Sequence, residues 1–314
     1  MTPEGEEILL SSSAGRRNRG RTWRADAALG ANTIIWGGTF VLVQSALRDI
    51  SPILFLAVRF SIATAALALL FRTRARYRPS LAGMLAGVCL FAGYVFQTVG
   101  LQFTTASKSA FITGLAIPLV PLLTSLVYLS RPRVFEVAGV LCASTGMGMM
   151  TLQGATLTIG KGDLLTFFCA VAFAAHIIVL GHYSGRVSFE SLALMQVGAA
   201  AVLGVSTFWW MERPSVRLSP VVLIALGITG LLATALAFTV QAWAQQHTTP
   251  TRTALIYSLE PVVAWLTSFW LTGETLSRRA AAGAGLILGG ILMVELKRIH
   301  SAQHLSNRAA GPGV

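Results

Sequence analysis

The chain has 314 residues, of which 54% are apolar and only 11% charged, and its mean hydropathy is +0.68. Soluble domains carry about 25% charged residues, so this composition argues against an ordinary soluble enzyme. Lys and Arg number 24 against 12 Asp and Glu, a formal charge of +12; nucleic-acid binders of that sign are also rich in total charge, which this chain is not, and no nucleic-acid partner is expected.

A membrane-spanning helix needs about 20 mostly apolar residues. Ten stretches qualify, at about 27–46, 52–71, 82–101, 107–129, 134–152, 163–182, 190–209, 219–243, 250–272 and 279–296. Residues 1–25 form a polar tail with Arg16, Arg17, Arg19, Arg21 and Arg24. The apolar run after it is long enough to span, which points to an uncleaved anchor rather than a cleavable leader. Linkers such as Arg72–Pro79, Arg131–Arg133, Thr158–Gly162 and Glu212–Pro220 separate the spans, and 297–314 is a second tail. With the N-terminus inside, Arg72, Arg74, Arg76, Arg78, Arg131, Arg133, Arg186, Arg252, Lys297 and Arg298 fall on the same side as the N-terminal cluster. Fewer cations, among them Arg48, Lys108, Lys161, Arg213 and Arg217, fall opposite, with the Arg278-Arg279 pair running against the trend. The positive-inside rule then predicts a multi-pass protein of the cytoplasmic (inner) membrane with both termini cytoplasmic. Cys89, Cys142 and Cys169 lie in apolar stretches without metal-ligand spacing, read as small buried residues, and no metal or cofactor is expected.

The two halves align with each other. At one constant offset Gly83 meets Gly227, Gln97 meets Gln241, Gln102 meets Gln246, and Thr104-Thr105 meets Thr248-Thr249. The same offset sets Tyr94 against Phe238 and Lys108 against Arg252, and a slightly shorter one pairs Asp26 with Asp163, Trp36 with Phe173 and Arg59 with Gln196. Residues 26–152 and 163–296 therefore read as two copies of a five-helix unit. An odd number of spans inserts the second copy upside down, the inverted-repeat construction of secondary transporters. The expected fold is an all-α membrane protein of ten transmembrane helices in two inverted five-helix repeats.

Trp36-Gly37, Pro52, Arg59-Phe60, the stretch Thr104–Pro121, Gly162-Asp163, Glu260-Pro261 and Gly273-Glu274 occur in an order and spacing that resembles the drug/metabolite transporter superfamily, specifically its EamA-type ten-helix branch. The first half departs from the last motif, with Ser130-Arg131 where the second has Gly273-Glu274. The resemblance implies metabolite carriers, often exporters, with a central cavity lined by spans 1–4 and 6–9 and with spans 5 and 10 at the periphery.

Polar groups inside a bilayer face protein or water and mark candidate sites. Arg59, within the second span, either snorkels or reaches a polar partner. Glu260 precedes Pro261, whose missing donor frees carbonyls on the preceding turn; a carboxylate there can hold a cation, a substrate ammonium or a proton, or pair with Arg252 or Arg59. Lys108 and Arg252, near the starts of the fourth and ninth spans, are gate or charge-pair candidates alongside Arg59. Tyr94 with Gln97, and Phe238 with Gln241, put an aromatic and an amide on one face at matching sites, either lining a cavity or bridging helices. Trp36 and Tyr257 complete the substrate-binding candidates, and His176 reads as a hydrogen-bonded packing residue. Gly83/Gly87 and Ala281/Gly285/Gly289 read as close-packing positions. Gly160-Lys161-Gly162-Asp163 superficially matches an intramembrane aspartyl protease, but the second intramembrane aspartate is missing, and Asp163 reads as a helix N-cap. The expectation is a secondary transporter of small polar metabolites, an exporter of amino acids or related compounds by alternating access, as a monomer or homodimer, with proton coupling through Glu260 as a hypothesis. The alternative is a membrane receptor or scaffold that transports nothing.

Overall fold

The computed structural model describes residues 22–72, 80–104, 106–129, 131, 133–151, 160–260, 262–263, 277–279 and 281–293. The helices are α1 Thr22–Ala46, α2 Pro52–Phe71, α3 Leu81–Gly100, α4 Ala106–Thr113, α5 Ala116–Tyr128, α6 Val134–Thr151, α7 Lys161–Tyr183, α8 Phe189–Met211, α9 Pro220–Ala244, α10 Pro250–Tyr257 and α11 Ala281–Met293. Among the described residues there is no strand, only an isolated bridge between Ile50 and Val216. Among the described residues seven runs are long and apolar enough to cross a membrane: α1, α2, α3, α7, α8, α9 and Phe111–Tyr128, which joins the end of α4 to α5; Val134–Met149 within α6 and Ala281–Met293 are shorter apolar stretches. The rest of the ninth span and the Gly273-Glu274 pair lie outside the described residues.

Three helices begin where Ser or Thr precedes Pro, at Ser51-Pro52, Ser219-Pro220 and Thr249-Pro250. Proline at the first helical position needs no hydrogen-bond partner, and the preceding hydroxyl can accept an orphan N–H. Ser219 and Thr249 do so, from Val222 N at 3.4 Å and Arg252 N at 3.3 Å. At α2 the cap comes from far away: the Glu212 carboxylate accepts from Ile53 N at 3.1 Å and Leu54 N at 2.8 Å. Ser51 Oγ instead accepts from Ser215 N, so the 47–51 and 212–217 loops are tied together.

The core is built where small residues let backbones meet. α3 lies against α7 and α8, and α2 against α8 and α9. A Cβ on Gly87 would stand 2.5 Å from Ala199 Cβ and 2.6 Å from the Gln196 carbonyl, and one on Gly162 would meet the Gly100 carbonyl at 2.8 Å. Gly87→Leu is therefore expected to lower the thermal unfolding midpoint in detergent, because overpacking costs about 1–3 kcal/mol; an unchanged midpoint would show that α3 and α8 slide apart freely. The stripe on α11 departs from expectation. Gly285 and Gly289 face open space, whereas Gly290 sits against the Gly139 carbonyl of α6 and Gly146 of α6 packs on Gly283.

Large apolar side chains remain exposed on the outside, including Leu69 and Leu70 on α2, Leu122 and Leu126 on α5, Trp209 and Trp210 on α8, and Leu223 and Ile224 on α9. Water would penalise so much apolar surface, whereas acyl chains accept it, and Trp209-Trp210 at a helix end suits the interfacial belt.

Candidate functional site

Several buried clusters meet near the middle of the bundle. One joins α1, α2, α3, α8 and α9; a second joins α5, α7 and α10; a third links α1, α9 and α10. Trp36 packs on the first cluster, Phe173 on the first and second, and Tyr257 on the second and third. These three stay half-buried although each lies inside a helix.

Four aromatic sequence candidates are brought together here, with Phe173 beside them. Trp36 meets Tyr257 edge-on with centroids 4.9 Å apart and Phe238 at 5.5 Å. Phe238 meets Tyr94 at 6.1 Å, and Tyr94 meets Phe173 at 5.3 Å. Positions paired by the sequence, Trp36 with Phe173 and Tyr94 with Phe238, thus form two matching contacts. Edge-to-face geometry dominates, as the ring quadrupoles prefer. Phe173 entered the sequence reading only as the mate of Trp36.

Arg59 is 3% exposed and does not snorkel. Its Nε donates to Thr234 Oγ1 at 2.8 Å, and Nη2 donates to Tyr94 Oη at 3.0 Å and to the Ala233 carbonyl at 3.5 Å. The guanidinium carbon lies 4.3 Å from the Tyr94 ring centroid. Two of these acceptors, Thr234 Oγ1 and the Ala233 carbonyl, come from Ile228–Leu236, a π-helical segment within α9. Its wider turn lets Thr234 Oγ1 donate back five residues to the Thr229 carbonyl at 2.7 Å. The Ala233 carbonyl also accepts from Trp36 Nε1 at 2.9 Å. Such segments often mark functional sites.

The matched amides part company. Gln97 is half-buried and donates to Thr113 Oγ1 at 3.3 Å, beside Cys169 Sγ. Gln241 is buried and donates to Gln245 Oε1 at 3.2 Å, while Gln245 Nε2 donates to the Ile177 carbonyl at 2.8 Å. Gln241 thus supports a bridge from α9 to α7. His176 is buried, bonded to Gln196 at 2.6 Å and edge-on to Phe238.

The charges sort differently from any pairing proposed from sequence. Arg252 pairs with Asp26, joining the starts of α10 and α1, in a largely buried contact. Glu260 therefore has neither Arg59 nor Arg252 as a hydrogen-bond partner, and its buried Oε1 has no hydrogen bond among the described residues. The side chain of Lys108 and the whole of Pro261 lie outside what is described. Asp163 stands at the third position of α7 rather than at its cap: the cap is Gly160, whose N–H donates to Asp163 Oδ2 at 2.8 Å, and Thr104 Oγ1 donates to Oδ1 at 2.8 Å.

This arrangement can surround a small molecule with aromatic faces, one guanidinium and one carboxylate. The model of the EamA-like transporter family matches residues 24–152 and again 160–296. The chain is 35% identical over 273 residues to an uncharacterized transporter of Archaeoglobus fulgidus, covering 87% of this chain and 86% of that one. It is 24% identical to the uncharacterized inner membrane transporter YedA of Escherichia coli, covering 86% and 90%. One solved crystal structure shares its fold with a TM-score of 0.74 at 21% identity, covering 87% of this chain and 96% of that one. With nearly the whole of its apolar region matched, this multi-pass membrane protein belongs to the EamA-like transporter family.

Proposed function

We propose that the protein is a secondary transporter of small polar metabolites working by alternating access, with amino acids and related compounds as first candidate cargo and export as the direction. The observation that carries this reading is the cluster of Trp36, Arg59, Tyr94, Phe238 and Tyr257, contributed by α1, α2, α3, α9 and α10. Packing five helices together needs no buried guanidinium ringed by aromatic edges; a cargo site does. The matching contacts Trp36–Phe238 and Phe173–Tyr94 support two inverted repeats, 26–152 and 163–296, related about that site. The cation bias of the linkers supports a cytoplasmic-membrane location with both termini inside.

The test is counterflow in proteoliposomes with labelled amino acids, organic acids and amines. Trp36→Ala removes one wall of the cluster and the bond to the Ala233 carbonyl. It is expected to slow exchange about tenfold or more, the effect of about 1.4 kcal/mol or more in cargo binding. Gln97→Ala is expected to act in the same direction, and Gln241→Ala to act through stability instead. Saturable exchange lost in the Trp36 variant supports a carrier; folded protein that exchanges nothing, with or without Trp36, supports a receptor or scaffold. Proton coupling through Glu260 fails if counterflow is independent of pH in both the wild type and Glu260→Gln.

A further inference from the structure

Glu260 is a carboxylate that no cation among the described residues bonds. It follows the turn that ends α10, where Ser258 N bonds to both Ala254 O and Leu255 O and Leu259 N bonds to Ile256 O. This tightening brings Glu260 one turn beyond Tyr257. Its Oε1 is buried and accepts no hydrogen bond among the described residues. The two arginines offered by the sequence are committed elsewhere, Arg59 to Thr234, Tyr94 and Ala233, and Arg252 to Asp26. A chain with a formal charge of +12 has cations to spare, yet none of the described ones bonds this oxygen. A buried polar oxygen left without a donor is costly, and it persists when a ligand supplies the donor.

Resting on the transporter reading, we infer that Glu260 is the subsite for a protonated amine on the cargo, with the rings of Trp36 and Tyr257 flanking it. The carboxylate supplies the counter-charge and a hydrogen-bond acceptor, and the edge-to-face pair of Trp36 and Tyr257, 4.9 Å between centroids, leaves π faces for cation–π contact. Because Oε1 needs an N–H donor, primary and secondary ammonium groups fit and quaternary ammonium does not. Because the site already holds one negative charge, a simple carboxylic acid or hydroxy acid has nothing to bring to Glu260. The cargo class is therefore a small amine, amino acids included.

The experiment is counterflow with two matched sets of probes: L-amino acids and phenethylamine on one side, and the 2-hydroxy acids with the same side chains on the other. The wild type is expected to exchange members of the amine set at least tenfold faster than their hydroxy counterparts. Glu260→Gln is expected to erase that preference while retaining the wild-type unfolding midpoint. Hydroxy acids exchanged as fast as their amine partners would overturn the amine subsite and leave the transporter reading standing. Amine exchange that survives in Glu260→Gln, with only pH-driven uptake lost, would overturn it too, in favour of a proton carrier. No exchange of either set by folded wild type overturns both readings. The comparison of the two sets on the wild type holds even if the variant fails to fold.

Discussion

Asp26→Asn is expected to expose the centre of the protein from the end where α1 and α10 begin, which the cation bias assigns to the cytoplasm. Arg252 and Asp26 are joined across 226 residues of sequence by one largely buried ion pair. Removing one partner takes this contact away, and breaking a buried ion pair costs several kcal/mol in the state that held it. A conformation in which both groups reach water loses little, so the balance shifts towards opening. Cys169, buried beside Thr113 and next to Gln97, is a natural reporter. In a Cys89→Ala/Cys142→Ala background its labelling by an impermeant maleimide from the cytoplasmic face is expected to rise about tenfold, equivalent to about 1.4 kcal/mol in the opening equilibrium. The exchanged pair Asp26→Arg/Arg252→Asp is expected to return labelling towards the starting rate. Unchanged labelling in Asp26→Asn would make the pair a static tie. The sequence aligns Asp26 with Asp163, which ties the start of α7 to the turn after α3. There Asp163 accepts from Thr104 Oγ1 and Gly160 N, and Asp163→Asn is expected to favour opening to the outside.

The helices were legible because apolar runs in this chain are long, and three of their starts are marked by Ser or Thr before Pro. Trp36, Arg59, Tyr94, Phe238 and Tyr257 were legible as candidates because aromatic and charged residues stand out in such runs and recur at matched positions. Their partners were not. Arg59 could be read as snorkelling because its acceptors, Thr234 and the Ala233 carbonyl, are presented by a π-helical turn that hydropathy does not encode. Arg252 could be assigned to Glu260 because they share a helix face, whereas its partner Asp26 lies at the other end of the chain. The divergence of Gln97 from Gln241 did have a signal: four residues on, Gln241 meets another amide, Gln245, and Gln97 meets Leu101. That difference gives one amide a partner on its own helix and leaves the other to reach Thr113.

Arg59→Met is expected to abolish transport without destabilising the protein. Among the described residues the guanidinium has a hydroxyl, a phenol and a carbonyl as hydrogen-bond partners and no carboxylate. Neutral acceptors and a cation–π contact worth about 1–2 kcal/mol offset only part of the several kcal/mol needed to bury a charge. Replacing such a group with an apolar side chain of similar volume is often neutral or stabilising by about 1–4 kcal/mol. Thr234 Oγ1 keeps its bond to the Thr229 carbonyl and the Ala233 carbonyl keeps Trp36 Nε1, so neither loses its last partner. If Arg59 were there to hold the fold, its loss should lower the unfolding midpoint and leave exchange per folded molecule intact. If it is there to set the charge and the ring position of Tyr94 in the cargo site, the midpoint should hold or rise while exchange falls about a hundredfold, near 2.7 kcal/mol. Arg59→Lys separates the two contributions: the ammonium keeps the charge but cannot reproduce the planar fork that reaches Thr234 and Tyr94 while stacking on the ring. Its exchange rate is expected between those of the wild type and Arg59→Met, with a lower midpoint than either, because the compact ammonium is more strongly hydrated than a guanidinium and is harder to bury.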